Sequence, residues 1–410
     1  MHKTLAAHPG VTGEAGGTTL SVRFDPGTGE EELFYRCSGL PSISPRAAGN
    51  TAAVALVFAA MTHGRHLHIH GECCPALLEN LEEFSRIWNF WRPDRYRPVS
   101  CSCDRETPPA EPATSKTALL AFSGGVDATF SLLRHHSGAN GRRNRKIAGG
   151  VLVHGTDIPL EDEPAFDRCL RSARRALEPM GIPVRAVATN HRFLLSSGGI
   201  CWMDFFGTTF ASALHFLSDH GCSGILASGD EYYNFRVNGS NALTDRLLSS
   251  GQFHLENDGG EFSRNEKVAY LARHPEILTS LRFCWEGALH DRNCGVCEKC
   301  IRTALNFRLA GVDPAPCFPN KVTDAMIRTV DIKNDTQYSE FRHILRDAVA
   351  AGKRNESWVR ALDRRLRVYH RYGPGALSAA QAVRVRFAAL RMRAGLRTRL
   401  KKTAGLGREQ

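Results

Sequence analysis

The chain of 410 residues lacks any apolar run long enough to cross a membrane. Its longest apolar run extends from Ala52 to Met61, whereas a membrane-spanning helix needs about 18 or more apolar residues. The first residues also lack the apolar segment of a secretory signal. We therefore expect a cytoplasmic protein, and its 42% hydrophobic and 23% charged residues are typical of a folded globular chain.

The sequence also lacks the cysteine pattern of a small disulfide-rich protein. It has 13 cysteines, an odd number in a chain of this length, and four of them lie in one short segment. Metal binding explains that segment better than disulfides do. Other cysteines stand among apolar residues and are predicted to be buried thiols, as at Cys37, Cys169, Cys201 and Cys222.

A proline-rich segment divides the chain. Residues 104–116 contain three prolines and small polar residues that disfavour helices and central strands, so we expect a linker there. The preceding residues 1–103 mix strand and helix patterns and predict a small α+β domain of undetermined role. Within it, one face of a strand carries His66, His68 and His70, and a solvated face and a metal site are the two interpretations.

Strand and helix patterns alternate after the linker. Strands are predicted over 119–122, 147–154, 184–188 and 224–228, and helices over 127–136, 165–180 and 205–220. The alternation predicts a Rossmann-like α/β fold, in which helices cover both faces of a parallel sheet and ligands bind at the carboxyl ends of the strands. We expect this domain to cover residues 117–325, followed by a helical, basic region over 326–410.

Basic residues concentrate at the carboxyl end of the chain. The formal net charge is +11, and Glu409 is the single acidic residue after Arg384. Such a run is typical of a solvated surface or of a segment that binds phosphates. Two kinds of partner stay open. One is a nucleic-acid or protein acceptor that this tail would hold, and the other is a second copy of the chain in a homo-oligomer.

A glycine turn between a strand and a helix is the most specific motif. The apolar residues 119–122 lead into Ser123, Gly124 and Gly125, and a helix containing Asp127 follows. Without side chains at the two glycines, backbone N–H groups can close around a phosphate, and the helix N-terminus adds partial positive charge. The turn lacks the ending of a Walker A loop and the third glycine of a dinucleotide fingerprint.

Four cysteines downstream have the spacing of metal ligands. Two residues separate Cys294 from Cys297 and Cys297 from Cys300, and Cys284 completes the set. Four thiolates make a closed site, so we expect a structural Zn²⁺ ion. An iron–sulfur cluster is the alternative that this spacing allows.

The glycine turn resembles the Ser-Gly-Gly-x-Asp-Ser loop of the PP-loop ATP pyrophosphatase superfamily. The matching residues are Ser123, Gly124, Gly125, Val126 and Asp127. Ala128 stands where the superfamily has serine, and Thr129 follows it. Together with the four downstream cysteines, this order of motifs is similar to that of the 7-cyano-7-deazaguanine synthase family over about residues 119–309.

This resemblance implies an ATP-dependent ligase that releases AMP and pyrophosphate. ATP and Mg²⁺ would bind along 123–129, with Mg²⁺ on Asp127, and a deazapurine-like carboxylate would be adenylated and then converted by ammonia or an amine to an amide and a nitrile. The candidate cations near the leaving pyrophosphate are Lys267, Arg264 and Arg236, for which surface salt bridges are the alternative.

Two further residues are assigned roles on the same basis. Asp230 follows a predicted strand and would orient the substrate, with a helix cap as the alternative. His154 ends another predicted strand, where the superfamily holds the adenine mainly through backbone groups.

Two other functions are open. A PP-loop enzyme that thiolates or amidates tRNA or protein would suit the basic tail. A nucleotide-binding protein that has lost catalysis would explain Ala128.

Overall fold

A computed structural model describes residues 4–14, 16–108, 116–221 and 223–374. Over these residues, the chain has one sheet of ten strands and twelve α-helices. It divides into two compact units, of which the first is Met1–Cys294 with Ala315–Cys317 and the second is Gly295–Pro314 with Phe318–Gln410. The sheet belongs to the first unit.

The first unit contains all ten strands and eight helices. Its strands are β1 (Thr4–Glu14), β2 (Gly17–Phe24), β3 (Glu31–Ser38), β4 (His66–Cys73), β5 (Cys101–Glu106), β6 (Thr117–Ala121), β7 (Lys146–His154), β8 (Val184–Thr189), β9 (Ser223–Ala227) and β10 (His254–Asp258). Its helices are α1 (Pro45–His63), α2 (Pro75–Trp91), α3 (Val126–His136), α4 (Glu163–Leu177), α5 (His191–Ser197), α6 (Trp202–Phe216), α7 (Arg264–Leu271) and α8 (Pro275–Leu278). The strands lie in the order β10-β9-β6-β7-β8-β3-β2-β1-β4-β5.

Half of the sheet has Rossmann-like order. The five strands β8, β7, β6, β9 and β10 are parallel, and their order corresponds to 3-2-1-4-5 along the chain. The α/β class expected from the alternating pattern is therefore confirmed. The order reverses between β6 and β9, and ligands of such sheets bind beyond the carboxyl ends of the strands at this switch point.

The amino-terminal strands extend the same sheet. β3 pairs antiparallel with β8, with Tyr35 opposite Thr189, and the separate domain expected over 1–103 instead shares one sheet and one compact unit with the following residues. Local patterns do not reveal this pairing because its two strands lie far apart in sequence. Residues 104–106 of the expected linker form the end of edge strand β5, and 109–115 lie outside the described residues.

The long apolar run of the sequence forms the centre of α1. Ser44 caps this helix by accepting from the Ala47 N–H, Pro45 begins it, and Gly64 ends it with φ of 59°. Helix α1 is buried from Ala47 to Met61 and packs against β4 and α6. Among the described residues, none of the helices has both the length and the apolar character that crossing a membrane requires.

Buried histidines should make the stability of this unit depend on pH. Burial lowers the pKa of His191 and of His215 to about 4, and His191 Nε2 donates to the Ala55 carbonyl at 2.8 Å. In the unfolded chain, these histidines bind protons near pH 6.5. The free energy of unfolding therefore falls as the pH drops from 6.5 towards 4, by about 2 kcal/mol per histidine between pH 7 and pH 5. Urea denaturation of His191→Gln at pH 7 and at pH 5 should show a correspondingly smaller loss of unfolding free energy than in the wild type. An equal loss in both proteins would contradict the lowered pKa of His191.

The second unit is helical over its described residues. Its helices are α9 (Glu298–Leu309), α10 (Asp324–Thr329), α11 (Asp335–Ala350) and α12 (Ser357–Tyr372). Helix α12 packs on α10 and α11, and the buried Arg365 donates from Nε to the Val330 carbonyl at 2.8 Å. The predicted helical character after 326 is present up to residue 374, although the unit begins at Gly295 because α9 packs with α11. The basic run after Arg384 lies outside the described residues.

Candidate functional site

The glycine turn links β6 to α3 as the sequence predicts. Gly124 has φ of 73°, a left-handed conformation that favours glycine, and its carbonyl accepts from the Arg282 N–H at 2.9 Å. Ser123 Oγ accepts from the Gly125 N–H at 3.2 Å and tightens the turn. Within the described chain no side chain caps the start of α3, so its N-terminus offers N–H groups and partial positive charge to an anion.

Three of the predicted site residues meet at the start of α3. The Asp127 carboxylate lies 3.2 Å from Lys267 Nζ and 3.2 Å from Arg264 Nη1. Both cations come from α7, whose first turn is held by a capping box between Ser263 and Glu266. Both cations are thus ion-paired with Asp127, and their role beside a leaving pyrophosphate stays a prediction.

Lys267 lies at the switch point of the sheet. Its side chain is 2% exposed, and Nζ also donates to the Ser228 carbonyl at 2.6 Å. Ser228 directly follows β9, and Asp127 lies one turn beyond β6. One buried ammonium group thus contacts the segments that follow both strands, where Rossmann-like sheets bind ligands.

A small cavity adjoins the glycine turn. It has a volume of about 90 Å³, and its lining includes Ser123, Gly124, Arg282 and Asp291. One water needs about 10–15 Å³, so the cavity has room for several waters or for a phosphate group. The Asp291 carboxylate is paired with Arg168 at 2.7 Å, and the hydrogen bond from Arg292 lowers its pKa to about 2.

Arg282 is the functional candidate that the sequence analysis missed. Its side chain is 9% exposed, and Nε donates to the His290 carbonyl at 2.6 Å. Its Nη2 is buried without a hydrogen-bond partner among the described residues. A buried charged donor without a partner is costly, which favours a ligand oxygen at this position. The signal in the sequence was an arginine inside the apolar segment just before Cys284.

Asp230 and Arg236 form a separate pair. The Asp230 carboxylate accepts hydrogen bonds from Arg236 and Asn238. Asp230 caps no described helix, because the 3-10 turn that follows starts after Glu231, so the helix-cap interpretation is wrong. Two partners leave acceptor capacity on a carboxylate, and the substrate-orienting role stays a prediction.

His154 is a packed residue beside a larger cavity. Its side chain is buried, its ring stacks on Phe166 at 4.1 Å, and Nε2 donates to the Pro159 carbonyl at 2.9 Å. The neighbouring Gly155 contributes to a cavity of about 600 Å³ at the carboxyl ends of β7 and β8. That volume lies within the range of small-molecule sites, about 300–1,000 Å³. The expected base position therefore has space beside the backbone of Gly155.

The larger cavity has aromatic and charged walls. Its lining includes Trp202, Trp285 and Arg192. The Arg192 guanidinium lies over the Trp202 ring at 4.5 Å and donates from Nη1 to the Thr156 carbonyl at 2.6 Å. Asp157 also lines the cavity, and its Oδ1 lies 3.7 Å from Arg192 Nη1, so the aromatic faces rather than an unpaired cation suit a planar ligand.

The four predicted cysteines form a cluster. One ligand atom of each lies within 4.8 Å of the others, and the residues are Cys284, Cys294, Cys297 and Cys300. Four sulfurs around one Zn²⁺ ion at bonds of about 2.3 Å are about 3.8 Å apart, so the donor set fits one such ion after small adjustments. The cluster could therefore hold a metal ion such as zinc, as expected.

Two local features arrange this cluster. The Asn293 Oδ1 accepts from the Phe283 N–H at 3.0 Å and from the Cys284 N–H at 3.3 Å, which holds the first cysteine beside the loop that carries the second. Cys297 caps α9, and its sulfur accepts from the Cys300 N–H at 3.4 Å. The Cys297 sulfur thereby lies at the N-terminus of α9 within reach of the other three cysteines.

Comparison with known protein families, curated proteins and solved structures gave no match.

The remaining predicted loop residues are buried in α3. Ala128 is 5% exposed and Thr129 is 1% exposed. The Thr129 hydroxyl has no hydrogen-bond partner in the described part of the chain. Its predicted contact with phosphate stays a prediction.

One thiol differs from the expectation. Cys37 and Cys169 are buried as predicted, whereas Cys201 is exposed because it precedes the first turn of α6 rather than lying inside the helix. Cys222 lies outside the described residues.

Proposed function

We propose that this protein is an ATP-dependent enzyme that cleaves ATP to AMP and pyrophosphate and thereby activates a carboxylate. The observation that carries the proposal is Arg282, which lines the cavity next to Ser123 and Gly124 and whose buried Nη2 lacks a partner among the described residues. A glycine turn, an uncapped helix and an incompletely paired arginine together suit a phosphate chain.

Positive charge at this site supports cleavage between phosphates. Lys267 and Arg264 contact the Asp127 carboxylate. Arg282 contacts the glycine turn itself, because its backbone N–H donates to the Gly124 carbonyl. Groups of this kind stabilise the charge that develops on leaving pyrophosphate. Asp127 is the residue that would hold Mg²⁺, which neutralises phosphate charge when bound.

The proposed reaction has two stages, and each consumes one ATP. A carboxylate oxygen of the substrate attacks the α-phosphorus of ATP, and the bond from that phosphorus to the bridging oxygen breaks with release of pyrophosphate. Ammonia then attacks the carbonyl carbon of the acyl-adenylate, AMP leaves with the electron pair of the C–O bond, and the nitrogen loses a proton. In the second stage, the amide oxygen would attack the α-phosphorus of a second ATP with release of pyrophosphate, and loss of AMP and of two protons from nitrogen would leave the nitrile.

The larger cavity supports a planar substrate or base. Trp202 and Trp285 provide flat apolar surfaces there, which suit the planar ring of a deazapurine. Arg192 would bind the substrate carboxylate in exchange for its present partner, Asp157. The resemblance to deazaguanine synthases and the four-cysteine cluster favour the same substrate class.

The direct test is turnover with defined reagents. The purified protein is incubated with ATP, Mg²⁺, ammonium and 7-carboxy-7-deazaguanine, and AMP and the mass of the deazapurine are measured. Formation of AMP with conversion of the acid to amide or nitrile would support the whole proposal. AMP without any change in the deazapurine would retain the enzyme class and reject this substrate, whereas absence of AMP would contradict the proposal.

Arg282→Met is expected to weaken ATP binding without weakening the fold. Loss of a charge-assisted hydrogen bond of about 1.5–3 kcal/mol corresponds to a roughly 10- to 100-fold higher Kd. Because the guanidinium is incompletely paired within the described chain, its removal should leave the Tm of the nucleotide-free protein unchanged or higher. Calorimetric titration measures the Kd for ATP, and thermal melts measure the Tm. Arg171→Met, on an exposed part of α4, is the matched control, and equal ATP affinity in both variants would contradict the role.

Thiolation is a second candidate because Cys201 is exposed. Cys201 directly precedes Trp202, which lines the larger cavity. An amidating enzyme should keep both AMP formation and product in Cys201→Ala. A thiolating enzyme should keep AMP formation but lose sulfur transfer to its acceptor.

A further inference from the structure

A second group of metal-ligating side chains lies away from the glycine turn. It consists of His68 and His70 on β4 and Asp104 on β5. One ligand atom of each lies within 4.8 Å of the others. The Asp104 Oδ1 is 3.0 Å from His68 Nε2 and 3.4 Å from His70 Nδ1.

Pairing of β5 with β4 brings a third metal-ligating side chain, that of Asp104, beside the two histidines. Alternation along β4 places the two histidines on one face, and the parallel register pairs His68 with Ser102 and Ile69 with Cys103 on β5. Asp104, expected to be a linker residue, is therefore the next residue of β5 on the same face. Two imidazoles and a carboxylate now converge where the sequence showed histidines alone.

Hydrogen bonds orient one of these imidazoles. Ser102 Oγ lies 2.8 Å from His68 Nδ1 and 2.7 Å from His66 Nε2, and His66 Nδ1 lies 2.7 Å from Ser100 Oγ. In a consistent arrangement, His68 Nδ1–H donates to Ser102, Ser102 donates to His66, and His66 donates to Ser100. Without an ion, His68 Nε2 is hydrogen-bonded to Asp104 Oδ1, and an ion that replaces this proton would be bound by the Nε2 lone pair and the carboxylate. Metal-bound histidines characteristically have their second nitrogen held in this manner.

The second imidazole is held by stacking. The ring of His8, on β1, lies parallel to that of His70 with the centroids 4.2 Å apart. The ligand side chains are between 24% and 51% exposed, so an ion can reach them from solvent. Three protein ligands leave coordination positions for water.

We propose that His68, His70 and Asp104 bind a divalent transition-metal ion such as Zn²⁺, at a site separate from the four-cysteine cluster. Imidazole nitrogen with one carboxylate oxygen suits zinc, nickel, copper or iron, whereas magnesium and calcium prefer oxygen ligands alone. The ion would join β4 to edge strand β5 just before residues 109–115.

Metal stoichiometry tests this site on the full chain. Zn²⁺ is titrated calorimetrically into the wild type and into His68→Ala/His70→Ala, and bound zinc is measured after gel filtration. The wild type should bind one more equivalent than the double variant. His254→Ala, which removes an exposed histidine from the opposite edge strand, should retain the wild-type number.

Two further measurements separate metal binding from folding. Ser102→Ala should keep the stoichiometry but weaken Zn²⁺ binding about 10- to 100-fold, as loss of a supporting hydrogen bond typically does. Before zinc is added, all variants should melt within a few degrees of the wild type because none of the substituted side chains is buried in the core. Equal stoichiometry in the wild type and in the double variant, or equal loss in His254→Ala, would overturn the proposal.

Discussion

Replacing Asp127 by asparagine should reduce formation of AMP and pyrophosphate from ATP by at least about 100-fold. The carboxylate is the predicted Mg²⁺ ligand, and it also sets the positions of Lys267 and Arg264, each 3.2 Å away. Asparagine keeps the size of the side chain but removes the negative charge that a hard cation requires. AMP formation measured by chromatography at saturating ATP gives the loss directly.

Binding of ATP in the absence of Mg²⁺ should not be weakened by Asp127→Asn. In the unliganded protein, the Asp127 carboxylate competes with phosphate for the two cations, so Asp127→Asn should bind metal-free ATP at least as tightly as the wild type. A variant that had merely unfolded would lose both binding and turnover. Asp167→Asn, on an exposed position of α4, is the control that should retain activity. Undiminished pyrophosphate release by Asp127→Asn would reject the proposed mechanism.

Replacing Cys300 by serine should remove the metal of the four-cysteine cluster and destabilise the protein. Cys300 is buried and its sulfur belongs to the cluster, so a serine would leave a poor ligand among three thiols. Loss of a structural metal costs more than about 4 kcal/mol, which lowers Tm by roughly 10 °C or more in a domain of this size. Elemental analysis measures the loss of metal, and thermal melts measure the change in Tm.

The control for this variant is a thiol outside the cluster. Cys201→Ala changes an exposed cysteine and should retain both the metal content and the Tm of the wild type. Iron with acid-labile sulfide in the wild type would replace the zinc assignment by the iron–sulfur alternative. Full metal content in Cys300→Ser would show that the cluster is not the metal site.

Local spacing explains which parts of the site were predictable. The glycine turn is a continuous segment whose function depends on neighbouring backbone groups, so Ser123 to Asp127 could be located from sequence order. The cysteines were predictable because three of them follow a repeat that wraps one ion. Lys267 and Arg264 were proposed individually, but their meeting at Asp127 required the packing of α7 beside α3.

Other features depend on contacts between distant segments. Arg282 becomes a phosphate candidate through its burial and its position beside Gly124, neither of which a sequence pattern gives. Asp104 looked like a linker residue because prolines follow it, yet β5 pairs with β4 and brings it to His68. Cys201 looked buried from its neighbours but lies before the helix that buries them.

The amino-acid sequence by itself determined the alternation of strands and helices, the glycine turn and the set of four cysteines, because each is written in the spacing of residues near one another. The tertiary structure alone decided that residues on both sides of the proline-rich segment share one sheet, which side chains meet Asp127, and that His68, His70 and Asp104 converge. These outcomes arise from strand pairing and packing between remote segments, which local periodicity does not specify.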